Sequence, residues 1–524
     1  MKALNSTFGD GTVLNSEITW NFGDPGSAYN SLVGFNAAHA YANPGTYTIT
    51  LTITTPDGYT GVATQQITVE QDTRPTIYVS TNGNDSNNGL SPNSPIQSTS
   101  RLNQLLTSDV RVLFQSGDTF TMNSSDFINA SGLHDVYIGS YGTGAAPILM
   151  YNGVATQGAM VEMSNSTQGL VVQGLTFDSI YTNNDDTQAI PSAFFPAGND
   201  IAILDNTFMN VLNDMNMQAE PSNVLVQGNK SPSTTALSAY FAWIQGNDIV
   251  VVGNTVANSD GEAILRIGGA NDILIADNNI TRLAAAGTGG KNCFSIQEGT
   301  YAYIYGNTLT TGPLSIGPIG VGNNANGAFN YAVIDSNVIL DNSTILLQPG
   351  LDHVMARNNL IEGQGDNYGF TLNGTQIGGG FNWQLQDVYI QNNTVTEPGG
   401  SGGFLLLANG EAQGVHLDDN LFYAPKFSVG GDGAAFLTDS NNDLNSFVEI
   451  KDNVWSLPAS VSSWVQGGYF FVGSDPSSQS GWLTPAEWKA TGIPTGDVYE
   501  NVNLGATYSV NVDGFTAGSN LPTS

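Results

Sequence analysis

Short runs in which apolar and polar residues alternate fill most of the chain, and the runs recur as one phrase closed by Asn. It reads Ile201-Ala-Ile-Leu-Asp-Asn206, Val224-Leu-Val-Gln-Gly-Asn229, Ile249-Val-Val-Val-Gly-Asn254 and Ile273-Leu-Ile-Ala-Asp-Asn278. Later copies close at Asn307, Asn337, Asn359, Asn393, Asn420 and Asn453, so ten asparagines recur at intervals of 23, 25, 24, 29, 30, 22, 34, 27 and 33. A period of two makes each phrase a strand. A fixed phrase with variable insertions makes the whole a solenoid. A second strand precedes the phrase, as in Ala263-Ile-Leu-Arg-Ile267 before Gly268-Gly269. Two or three short strands per turn, with neither a helix per repeat nor Leu at fixed places, indicate a parallel β-helix rather than a leucine-rich horseshoe. Asn tolerates the left-handed conformation a sharp corner needs, and stacked Asn side chains can bond from coil to coil. The ten are therefore expected at one corner.

Residues 17 to 70 carry a different pattern. Ile18-Thr-Trp20-Asn-Phe22, a Gly23-Asp24-Pro25-Gly26 turn and the alternating Thr46-Tyr-Thr-Ile-Thr-Leu-Thr-Ile53 read as the short strands of a sandwich. Trp20-Asn-Phe-Gly-Asp24, His39-Ala-Tyr41 and Pro44-Gly-Thr-Tyr-Thr48 together resemble the PKD domain of secreted bacterial proteins, with Asn21 where that pattern usually has Asp. The resemblance implies a spacer or glycan-binding module without a catalytic role, and His39 reads as a structural strand histidine. Further on, Tyr78 to Gly89, Val112 to Asp118 and Tyr137 to Gly144 resemble the opening of secreted right-handed β-helix proteins that act on polysaccharides. The expected fold is all-β. Residues 1–71 form an immunoglobulin-like PKD sandwich, and 72–460 form a right-handed parallel β-helix of about ten or more coils, with 72–145 as its cap and first coils. Residues 461–524 close it, and the capping box Thr484-Pro-Ala-Glu487 announces a short helix there.

Charge narrows the partners. A net charge of −33 repels nucleic acid and anionic membrane surfaces. No apolar run reaches the length of a membrane span. Cys293 is the single cysteine, so no intramolecular disulfide is available and the residue is expected buried and inert. The start, Met1-Lys-Ala-Leu-Asn5, lacks the apolar stretch of an export signal, which is expected to have been removed from a secreted or surface bacterial protein. Abundant Asp and Asn offer oxygen ligands to Ca2+. No organic cofactor is expected, and the oligomeric state stays open.

Insertions near residues 178–200, 282–292, 308–331 and 362–387 mark a working face. Charged residues are scarce and gather in Asp260-Gly-Glu262-Ala-Ile-Leu-Arg266 and, one phrase later, Lys291-Asn-Cys-Phe-Ser295-Ile-Gln297-Glu298. Glu262, Ile264 and Arg266 share one side of a strand. Aligning the phrases at Ile273 and Ala302 sets Lys291 over Glu262 and Ser295 over Arg266. Trp243, one coil earlier, falls near the Arg266 column, where it could stack on a sugar ring.

Two chemistries on a polysaccharide fit these residues, elimination slightly ahead. In a lyase, Lys291 or Arg266 is the base that removes a proton beside a uronate carboxylate, and Glu262 with Asp260 or Glu298 holds Ca2+. This is loosely similar to the alginate and chondroitin lyases of β-helix type, with Arg266 where their pattern has Lys and Gln297 where it has Arg. In a hydrolase, Glu262 pairs with Asp260 or Glu298. A non-catalytic glycan-binding or surface protein is the third possibility, with Glu262 and Lys291 a plain cross-strand ion pair. His134, His353 and His416 lie far apart and are expected in turns or core. Asn183-Asn-Asp-Asp186 reads as a solvated loop.

Overall fold

The computed structural model describes the chain except for residues 9–10, 154–157, 181–191, 196–197, 212, 233–239, 258–262, 283–291, 311–313, 317–327, 341–343, 363–367, 379–380, 397–401, 428–433, 441–442, 459–467, 478–479, 513 and 524. It divides into two compact units, Met1–Ala285 and Ala286–Ser524.

The first unit opens with a four-stranded antiparallel sheet, in the order Ser31–Val33, Glu17–Asn21, Gly45–Thr54, Thr60–Val69. Its alternation buries Ile18, Trp20, Leu32, Ile49 and Ile53. His39 lies outside any strand, unlike the strand histidine expected, but its side chain is buried, the ring stacked 4.7 Å from that of Phe22 and Nε2 3.1 Å from Asp24. Parallel pairing then takes over, in three stacks of strands. The phrase strands Asn199–Leu204, Ser222–Gln227 and Asn247–Val252 pair in register, and Ile273 to Ala276 continue that stack. Short strands such as Thr176–Ser179, Thr207–Phe208 and Thr255–Ala257 make a second stack. Ala159–Glu162, Ser192–Phe195, Asn213–Met217 and Tyr240–Ile244 belong to a third. The two strands expected around Gly268-Gly269 are one, Ala263–Ala276. A helix that the sequence did not announce, Thr99–Leu105, is capped by Ser98.

The second unit repeats the plan. Phe329–Asp335, Leu351–Arg357, Gln386–Gln391, Gln413–Asp418 and Phe447–Lys451 stack in parallel. Val338–Leu340, Leu360–Glu362, Thr394–Thr396, Leu421–Tyr423 and Val454–Ser456 form its second stack. Phe370–Asn373, Leu405–Ala408, Phe436–Thr438 and Phe470–Val472 form a third. The capping box at Thr484 starts the helix Pro485–Ala490. That helix buries Trp488 flat against Phe470, 5.1 Å between ring centres. A final hairpin, Thr507–Val512 with Phe515–Pro522, lays Val510 and Ala517 on Leu421 and Val454. Gly518 is required there: its φ is +94°, and a Cβ would come within 2.9 Å of Leu421.

The asparagines form buried ladders inside each unit. In the first, Asn206, Asn229 and Asn254 each donate both backbone N–H and side-chain Nδ2 to Oδ1 of the next, ending on Asn278, at 2.9 to 3.2 Å. In the second, Asn307, Asn337, Asn359, Asn393, Asn420 and Asn453 do the same, and the last acceptor is Asp497. The other Nδ2 proton commonly goes to a carbonyl one coil back, as from Asn359 to Ile334. A carboxamide buried this way has its donors and its oxygen satisfied, which removes the cost of desolvating it. Asp497 suits the end of a ladder because an ionised carboxylate only accepts, and it also takes Trp455 Nε1–H at 2.8 Å.

The corner differs from expectation in one respect. The left-handed residue is the one before each asparagine, namely Asp205, Gly228, Gly253, Asp277, Gly306, Ser336, Asn358, Asn392, Asp419 and Asp452, while the ladder asparagines themselves are absent from that region. The Asn side chain must point into the interior to reach its neighbours, so the bend falls one residue earlier.

Candidate functional site

Inside the solenoid, alternate phrase residues such as Ile249, Val251, Val388 and Ile390 are buried in both units. The remaining positions of the phrase point away from this interior, and parallel register stacks them into two rows, although Tyr303, Val333 and Met355 among them are themselves buried. In the second unit one row is Tyr303, Val333, Met355, Tyr389, His416, Glu449. The other is Tyr305, Asp335, Arg357, Gln391, Asp418, Lys451. Nearly every ionisable side chain here has a partner on the next coil.

Arg357 donates from Nε to Asp335 at 2.7 Å and from Nη2 to the Tyr303 hydroxyl at 3.0 Å, and that hydroxyl lies 3.2 Å from Asp335. Burial, reinforced by Asp335, pushes the Tyr303 phenol above its ordinary range, so it stays neutral. Burial opposes the charge on Arg357, but Tyr303 and Asp335 more than offset it.

Two coils on, Gln391 donates to Asp418 Oδ2 at 3.2 Å, while Asp418 Oδ1 is buried without a hydrogen-bond partner. Burial pushes the Asp418 carboxyl up to about 6. His416 sits 3.1 Å from Glu449 through Nδ1 and stacks on Tyr389 at 4.6 Å. One ligand atom from each of His416, Asp418 and Glu449 lies within 4.8 Å of the others. Lys451, half exposed, is the next residue along the Asp418 row. This corrects the expectation for His416, which occupies a strand face among carboxyl groups. His353 likewise lies within a strand, Leu351–Arg357, rather than in a turn, at a left-handed kink of φ +60° with Asp352 and Asp387 beside it, and His134 lies between Asp109 and Asp135.

The residues singled out from the sequence divide differently. Asp260, Glu262 and Lys291 lie outside the described residues. In the first unit, Trp243 is the register partner of Arg266, whose guanidinium lies 4.6 Å from the indole centre. Tyr240 is 5.1 Å from the same indole, and Asn216 stands beside Trp243 one coil earlier. Arg266 and Trp243 are partly exposed, whereas Ile264 is fully buried. In the second unit, Ser295 is buried and accepts from Gln297 Nε2 at 3.3 Å, and Glu298 is partly exposed. Cys293 is buried. Besides Asp335, Asp418 and Glu449, the sequence reading also missed Asp214, fully buried, whose charge burial disfavours although Ser231 bonds to it.

On the first unit the outward rows are apolar except for Gln227: Ala202, Leu225, Val250, Leu274, and Leu204, Gln227, Val252, Ala276. The N-terminal domain lies over this face. Lys2 bridges Asp248 at 2.9 Å and Asp272 at 2.7 Å, and Asn36 donates to the Asp272 carbonyl at 2.7 Å. Tyr29 covers Gly253, where φ is +66° and a Cβ would meet its ring at 2.3 Å. A cleft of about 300 Å³ remains between Ala37, Ala38 and His39 on one side and Leu225 and Val250 on the other. A free spacer would have no such seat.

Fold and geometry together define a parallel β-helix with a small antiparallel β domain packed on the coils that carry Leu225, Val250 and Asp272. Residues 1–69 match the PKD domain family, so that domain is a PKD domain. No curated protein matches the chain. Among solved structures, the GH136 lacto-N-biosidase from Eubacterium ramulus is similar at 14% identity and a TM-score of 0.37, over 82% of this chain and 68% of that one. The family 28 exopolygalacturonase of Yersinia enterocolitica is similar at 10% identity and a TM-score of 0.31, over 89% and 85%. A rhamnogalacturonan lyase is similar at 11% identity and a TM-score of 0.28, over 68% and 83%. These likenesses concern the stacking of strands, and the chemistry must be argued from this chain's own residues. Among the described residues no helix is long and apolar enough to cross a membrane.

Proposed function

We propose that the protein is a secreted enzyme that hydrolyses a polysaccharide lying across the outward rows of the second unit. The observation that carries this is the pair Asp418 and Glu449 on adjacent coils, with carboxyl oxygens within 4.8 Å of each other and of His416. Retaining glycoside hydrolysis uses two carboxyl groups at close to this separation. Burial supports Asp418 as the acid, since a carboxyl pushed up to about 6 keeps its proton nearer neutrality. Glu449, oriented by His416, is the nucleophile. Asp418 protonates the glycosidic oxygen as Glu449 bonds to the anomeric carbon. Water then displaces Glu449, returning a proton to Asp418. Tyr389 and Lys451 flank the pair and would contact sugar on either side.

Elimination is the second reading, favoured by the pairing of Arg266 with Trp243 on the first unit. Arg266 would neutralise a uronate carboxylate while Trp243 holds the ring.

A panel of neutral and anionic polysaccharides separates the two. Hydrolysis releases reducing ends without ultraviolet absorbance, and NMR would show the anomeric configuration retained. An absorbing unsaturated product would replace this reading with the lyase. Binding without products would leave a glycan-binding protein.

A further inference from the structure

We propose that the polysaccharide taken by the second unit carries free amino groups, and that Asp419 and Asp452 receive its ammonium beside the catalytic pair. This rests on the hydrolytic reading of Asp418 and Glu449 and names the substrate class for that site. Asp419 and Asp452 directly follow Asp418 and Lys451, which are register partners on adjacent coils, and both sit at a left-handed corner with φ of +56°. Both are partly exposed. They border the outward row at the place where a sugar next to the scissile linkage would lie.

Negative charge is crowded there. Besides burial, Glu449 and Asp419 both disfavour ionisation of Asp418, and Asp452 does the same to Asp419. Asp418 is 8% exposed, and its Oδ1 has no hydrogen-bond partner. Lys451 opposes the burden on Asp419 but lies 3.6 Å from Asp452, so one lysine serves both carboxylates. A uronate entering this field would face Asp418, Asp419, Glu449 and Asp452 with Lys451 to offset them, in a chain of net charge −33. The charge that repels nucleic acid repels a polyuronate in the same way. A neutral sugar would be tolerated but would leave Asp419 half-desolvated beside a like charge. A primary ammonium brings a positive charge and three N–H donors in a compact group, which carboxylates on adjacent coils can hold from two sides.

Chitosan and polygalactosamine are the probes, each beside its N-acetylated form and a polygalacturonate. Binding to the full-length protein is followed by calorimetry at low and high salt, and cleavage by reducing ends. At least one amino polymer should bind and be cleaved, N-acetylation should abolish both, and salt should weaken binding by screening the attraction. Asp419→Asn should raise KM for that polymer about ten-fold, as loss of a charge-assisted hydrogen bond would, with kcat within a factor of about two. Asp452→Asn should do the same, and decides where the first variant does not fold. Binding of neither amino polymer, or affinity that salt leaves unchanged, would overturn the inference. Cleavage that prefers the N-acetylated or the uronate polymer would overturn it and leave hydrolysis standing. Salt-sensitive binding of an amino polymer without products would keep the ammonium site and discard hydrolysis.

Discussion

The same phrase does opposite work in the two units. At its second outward position the first unit carries Leu204, Gln227, Val252 and Ala276, while the second carries Asp335, Arg357, Gln391, Asp418 and Lys451. Interior residues and Asn ladders are alike in both, so stacking is independent of what the outer surface carries. That surface is free to be specialised. One stretch became a seat for the PKD domain, which removes Leu225 and Val250 from water, while the other kept ionisable groups in register. Each fully buried Leu or Val contributes roughly 1.5–3 kcal/mol, and each seat must be matched by a cover.

Removing residues 1–71 should have the largest effect. It uncovers the apolar rows, and the truncated chain should aggregate or bind a hydrophobic dye where the full chain does not. A soluble, monomeric, dye-silent truncation would break the comparison. Single charges test the same contrast more finely. Val252→Glu puts a carboxylate in a position now 0% exposed and should cost about 3–5 kcal/mol. Lys451→Glu, at the matching position of the second unit, should stay within about 1 kcal/mol. Similar losses in chemical denaturation would mean the two faces are not different.

The ladder should be costly to interrupt in either unit. Asn359→Leu removes the acceptor of the Asn337 backbone N–H and of one of its Nδ2 bonds, the donor to the Ile334 carbonyl, and one of the two bonds to Oδ1 of Asn393, a loss of about 3–5 kcal/mol. A midpoint shift as small as that of an exposed loop substitution would show the ladder to be incidental. The smallest expected effect is at the domain seat. Lys2→Ala removes two partly exposed ion pairs and should cost about 1 kcal/mol or less, with less difference from wild type at high salt. A loss of several kcal/mol would mean that Lys2 holds the seat rather than trimming it.

Periodicity made the fold legible, because each strand and each Asn announces itself locally. The corner was misread for an equally local reason. The liking of Asn for left-handed backbone suggests the bend, whereas its buried amide network sets the actual position and appears only when coils are stacked. The charged row was hidden by the same need for register. His416 and Glu449 are 33 residues apart, and a bulge between Val415 and His416 shifts the pairing that joins them. Rarity of charge drew attention to Arg266, and register does place it on Trp243, but rarity could not see that Asp418 is buried.

The most direct test of the proposed function is turnover of a susceptible polysaccharide by Asp418→Asn and Glu449→Gln, with melting temperatures measured alongside. Both variants should lose at least 100-fold in turnover, in line with removing a positioned acid or nucleophile, while melting within a few degrees of wild type. Full activity in both, or loss of activity only when Arg266 or Trp243 is replaced, would contradict the assignment of catalysis to the second unit.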